Sequence, residues 1–128
     1  MRNYIFIAIT SLMVGTVFGA TGFGVLHAQS KPPAYVITDF SEITDGQTLG
    51  IARDKMMAAV ANSGGKVLVR TNNIISIEGT PPEVFAVFSF DGVDQAKAWF
   101  GADAMKESNE ARHKASTSRV FIVEGTTK

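Results

Sequence analysis

Val84-Phe85-Ala86-Val87-Phe88-Ser89-Phe90 is an uncharged stretch in which six of the seven residues are apolar. Successive residues of a strand point to opposite faces, and here neither face is polar. The stretch therefore reads as a strand buried on both sides. What covers those two sides in so small a chain decides the architecture.

Working outward, Gly79-Thr80-Pro81-Pro82 before the stretch is a turn, because Pro82 cannot donate to a ladder. Upstream of it, Lys66-Val67-Leu68-Val69-Arg70-Thr71 is a second strand. Asn72-Asn73 reads as a bulge, after which Ile74-Ile75-Ser76-Ile77-Glu78 continues that strand. Before these, Leu49, Ala52, Met56 and Val60 recur at helical spacing, with Thr44 or Thr48 as N-cap and Gly64-Gly65 as the stop. Ala34-Tyr35-Val36-Ile37-Thr38-Asp39-Phe40, rich in β-branched and aromatic residues, is the first strand.

Downstream of the opening stretch, Asp91 is the expected N-cap of a helix whose apolar stripe is Val93, Ala96 and Phe100. Gly101 interrupts it, and a further helical piece runs from Asp103 to about Ala115. Arg119-Val120-Phe121-Ile122-Val123-Glu124 is the last strand. The order is strand, helix, strand, strand, helix, strand. That predicts an α+β, ferredoxin-like βαββαβ fold with a four-stranded antiparallel sheet and its helices on one face.

Such a sheet normally alternates polar and apolar residues if its other face meets water. Here Phe85 and Val87, and again Phe121 and Val123, are apolar on the side opposite Ala86, Phe88, Val120 and Ile122. Each Val, Ile or Phe buried is worth ~1.5–3 kcal/mol. A homodimer packed sheet to sheet is the expected solution, against a monomer covered by its own loops.

The 128 residues hold 12 basic and 12 acidic side chains and no cysteine. One domain is the natural count. The charge balance gives no basic excess for nucleic acid. The missing cysteine excludes disulfides, thiolate metal sites and a Cys nucleophile. No cofactor or metal is expected; phosphate-loop, nucleophile-elbow and dinucleotide motifs are missing, and one histidine after residue 28 is too few for zinc.

Between Arg2 and Lys31 the chain carries no charge. A basic start, an apolar run from Tyr4 to Val14 and a small-residue end describe a signal peptide over residues 1–28, with cleavage after Ala28. The alternative is an uncleaved inner-membrane anchor, which Gly15, Gly19, Gly22 and Gly24 make a poor helix. Without an Arg-Arg pair, export by the general secretion route to the periplasm or beyond is expected. Residues 29–33 are then a linker, 34–125 the domain and 126–128 a loose tail.

Several stretches together resemble the bacterial domain-of-unknown-function family 1330, of the dimeric α/β-barrel superfamily. They are Pro33-Ala34-Tyr35-Val36-Ile37, Gly64-Gly65-Lys66-Val67-Leu68-Val69-Arg70, Glu78-Gly79, Ala96-Lys97-Ala98-Trp99-Phe100 and Arg119 to Gly125. The family usually follows its arginine with glycines and its double proline with basic residues; here Thr71-Asn72-Asn73 and Glu83-Val84-Phe85 stand instead. The resemblance implies a homodimer with a pocket, and no established reaction.

Arg70 is the sharpest candidate, a permanent charge in a strand of Val and Leu, suited to clamping a carboxylate or enolate. The structural alternative is an ion pair with Asp39 or Glu78 on a neighbouring strand, or an exposed strand end. Asp39 and His113 are the candidate general bases. Tyr35, Glu78 and Trp99 complete the candidate ligand-binding set. Phe100 fits the core, which leaves Trp99 for a pocket or interface. Three functions follow: a binder of a small anionic or aromatic ligand, a cofactor-free isomerase or monooxygenase-like enzyme, or a structural protein. The sequence leaves open whether the protein is an enzyme.

Overall fold

A computed structural model describes residues 31–127. The proposed signal segment lies outside the described residues. β1 (Ala34–Ile43) is followed by α1 (Gly46–Asn62), β2 (Lys66–Thr71), β3 (Val84–Phe90), α2 (Val93–Gly101), α3 (Asp103–Ala115) and β4 (Ser116–Glu124). The strands form one antiparallel sheet in the order β2-β3-β1-β4, with β3 and β1 in the middle. This is the ferredoxin-like βαββαβ arrangement read from the sequence, its second helical unit split in two.

The register sorts the residues onto two faces. Val67, Phe88, Val36 and Ile122 stand in one row across the sheet, and Arg70, Ala86, Thr38 and Val120 in another. Both rows face the helices. Phe88, Val36, Val60, Ala96 and Met105 form the buried centre with Trp99 and Phe90. On the opposite face Val69, Val87, Ile37 and Phe121 make a continuous apolar row. Phe121 and Val123 remain 43% and 42% exposed there. No helix or strand of the described residues covers that face; the segment after β2 flanks one end of it, where Ile74 and Ile75 border a hollow with Asp39, Phe85 and Arg119.

Four local expectations are corrected. Asp45, not Thr44 or Thr48, caps α1: its carboxylate accepts from the backbone N–H of Gln47 and Thr48 at 3.1 Å each. The Thr48 hydroxyl adds a bond to the same carboxylate, so the expected cap serves the actual one. At α2 the N-cap is Gly92, one residue beyond Asp91. There Gln95 Oε1 folds back to accept from Asp91 N at 2.8 Å.

Strand β2 stops at Thr71, and residues 72–83 leave the sheet. The pairing of Thr71 with Phe85 explains why. Continued in register, Ile74 and Ile75 would meet Pro82 and Pro81, which lack the donors a ladder needs. The irregularity of β2 falls instead between Val67 and Val69. Last, Trp99 is buried (3% exposed) and Phe100 only partly so. The indole packs against Phe88 and Phe90, ring centroids 5.8 and 5.2 Å away. It is a core residue, because Ala96 and Trp99 lie one turn apart on the face turned to the sheet.

At the end of α1, Gly64 takes a positive φ of 73°, the left-handed cap that glycine accepts without strain. Gly65 leaves room for the Phe90 ring; a Cβ there would lie 2.6 Å from it. Among the described residues no helix is long and apolar enough to cross a membrane.

Candidate functional site

A cleft of about 210 Å³, partly open to solvent, lies between α1, α3 and one end of the sheet. Its space comes from missing side chains. Gly46 and Gly50 lie on one stripe of α1 with Leu49, Arg53 and Met56, and neither glycine has a neighbour within 4 Å of where a Cβ would stand. Ala86 on β3 and Ala52 on α1 keep the walls low, while Phe40, Ile43, Val84 and Met56 make them apolar. Ser108 Oγ donates to Ala52 O at 2.7 Å and ties α3 to α1 beside the cleft.

Among the described residues, three arginines and no carboxylate line this space. Arg53 is neutralised by its neighbour Asp54 at 2.9 Å. Arg70 reaches the cleft from β2 and is exposed, so it stands at the mouth. Among the described residues it has no ion pair. Pairing with Asp39 or Glu78 is therefore not what the fold builds; Arg70 is exposed one residue from the end of β2, as the strand-end alternative expects. Asp39 pairs instead with Arg119 across β1 and β4, at 2.7 Å, on the opposite face of the sheet. That contact holds the Arg119 guanidinium above the ordinary arginine range, through its hydrogen bond to Asp39 and then through the charge.

Arg112 occupies the inner end of the cleft and is only 5% exposed. It donates to Ser118 Oγ at 2.6 Å and lies 2.9 Å from His113 Nε2. Burial pushes its pKa below the usual arginine value, because charge is costly away from water. Sequence reasoning passed over it. Yet Met105, Ser108, Arg112 and Ala115 form the buried stripe of α3, and an arginine on such a stripe is a signal.

The other sequence candidates do not converge here. Tyr35 shares the far face with Asp39, Glu78 is exposed in the segment after β2, and Trp99 is in the core. His113 is exposed beside Arg112. Asp39 and Arg70 lie on opposite sides of the sheet, so they cannot act on one substrate within a subunit.

The sequence profile of a domain of unknown function, DUF1330, matches residues 33–126. The chain belongs to the DUF1330 family. Among curated proteins none matches it in sequence. Solved structures share its fold. A protein of unknown function from Rhodopseudomonas palustris superposes with a TM-score of 0.63 at 10% identity, over 77% of this chain and 85% of that one. A cofactor-independent oxygenase from Streptomyces nogalater gives 0.53 at 10% identity, over 76% and 96%. A proposed antibiotic biosynthesis monooxygenase from Caulobacter crescentus gives 0.55 at 13%, over 77% and 93%. At such identities the likeness to the DUF1330 chain is one of fold.

Proposed function

We propose that this DUF1330 protein is an exported homodimer that binds a small anionic or aromatic molecule in the cleft beside Arg70. One observation carries the binding reading: a glycine-floored apolar cleft whose mouth holds an arginine with no counter-ion among the described residues. Binding sites are largely apolar concavities with a few placed polar groups. An apolar cavity of ~150 Å³ in another protein accepts benzene, so about 210 Å³ suits a single ring or a short chain.

The dimer reading rests on the apolar row Val69, Val87, Ile37 and Phe121, which a second copy would bury sheet to sheet. Ile75 and Ile77, 86% and 100% exposed in the segment between β2 and β3, offer further apolar surface for the same contact. Export rests on the uncharged segment between Arg2 and Lys31.

Gly50→Phe tests the cleft without threatening the fold. Phenylalanine is a better helix residue than glycine, and there is open space where its Cβ would stand. Titration of benzoate and benzamide into the wild type should shift amide resonances of Gly46, Gly50 and Ser108. In G50F those shifts should vanish while the melting temperature holds or rises. Unperturbed resonances in the wild type, or equal binding by G50F, would overturn the reading.

A further inference from the structure

We propose that Arg112 is the anion anchor of the cleft, and that the molecule bound there is a small monocarboxylate with an apolar body. This rests on the cleft being a binding site and names its ligand class. The argument starts from charge. A guanidinium carries five N–H donors and stays ionised in proteins. Arg112 is 5% exposed, yet neither of the two hydrogen-bond partners that its guanidinium has among the described residues, Ser118 and His113, is an anion. None of the four ion pairs among the described residues includes it. The sequence before Asp39 contains no Asp or Glu, so the N-terminal segment offers no acidic side chain either.

A buried charge without an opposite charge is costly, and folds normally pair it. Here the guanidinium borders the cleft, whose lining among the described residues includes no carboxylate. A ligand carboxylate is the group that fits: planar, singly charged, and matched to the fork of an arginine through two parallel hydrogen bonds. Phe40, Met56 and Val84 would enclose the ligand's apolar body. Arg70 at the mouth adds a second positive charge that favours entry of an anion. The same geometry disfavours cations and gives a neutral amide a hydrogen bond without an ion pair.

Benzoate and benzamide are the paired probes, equal in shape and different in charge. By NMR titration, benzoate should bind the wild type roughly tenfold or more tighter than benzamide, the worth of a charge-assisted hydrogen bond. Arg112→Gln should abolish that preference, benzoate losing far more affinity than benzamide. Should R112Q not fold, the wild type still decides: the Arg112 Nε–H resonance should move much further on benzoate titration than with benzamide. Equal affinity for the two probes, a preference surviving intact in R112Q, or an unmoved Arg112 signal overturns the anion anchor and leaves the cleft standing. Binding of neither probe removes the cleft reading, and the anchor with it.

Discussion

Single residues in this domain split into those the fold satisfies and those it leaves over. Thr38 is 1% exposed on the helix face of β1, and its hydroxyl has no hydrogen-bond partner among the described residues. An orphaned buried hydroxyl costs free energy that an isosteric methyl does not. Thr38→Val should raise unfolding free energy by about 1 kcal/mol in urea titrations; a loss would show that the hydroxyl is in fact bonded. Asp45 is the opposite case. Its bond from the Thr48 hydroxyl, reinforced by the N–H groups of Thr48 and Gln47, lowers its pKa from 3.8. A lowered folded-state pKa means stability present in full above the unfolded value and lost as pH falls through the folded one. The melting-temperature gap between wild type and Asp45→Ala should therefore be constant near neutral pH and narrow in acid below that value. A gap independent of pH would show that the charge of the cap does not matter. Legibility at this scale was uneven. Arg70 stood out because Val67, Leu68 and Val69 precede it in the strand. Arg112 did not, because Glu110, His113 and Lys114 around it read as a solvated helix face. Only the position of Ser108 and Arg112 between Met105 and Ala115 on the buried stripe betrays it.

Elements were easier to read than residues. Periodicity of two against 3.6 placed all four strands and the helices, since each apolar stripe has to face the same core. The errors have physical causes. Thr44, Asp45 and Thr48 are all capping types within one turn, and backbone geometry chooses among them. Ile74, Ile75 and Ile77 look like strand, but the neighbouring strand offers Pro81 and Pro82 where they would pair. Adjacent Trp99 and Phe100 had to point apart, and sequence alone did not say which went inward. One element-scale prediction follows from the register. Phe121 ends the apolar row on the uncovered face of β4. Phe121→Glu should leave the melting of the helix-side core intact but render the protein monomeric on size exclusion. An unchanged elution volume would remove that face from the interface.

For the whole molecule, the sheet separates two jobs. One side packs three helices and leaves a cleft that Gly46, Gly50 and Ala86 keep open. The other side holds the row Val69, Val87, Ile37 and Phe121, with the Asp39–Arg119 pair beyond it. This division explains why sequence candidates that looked like one site fall on two sides. Alternation along a strand puts Asp39 and Arg70 on different faces once the strands are in register, and the register is invisible without the partner strand. It also makes the second copy central to the account, because the part of Val69, Val87, Ile37 and Phe121 that stays exposed in a lone chain forgoes its burial. Sedimentation velocity of residues 29–128 at micromolar concentration is the most direct measurement. It should give a single species of twice the chain mass, and a stable species of one chain mass would contradict the account.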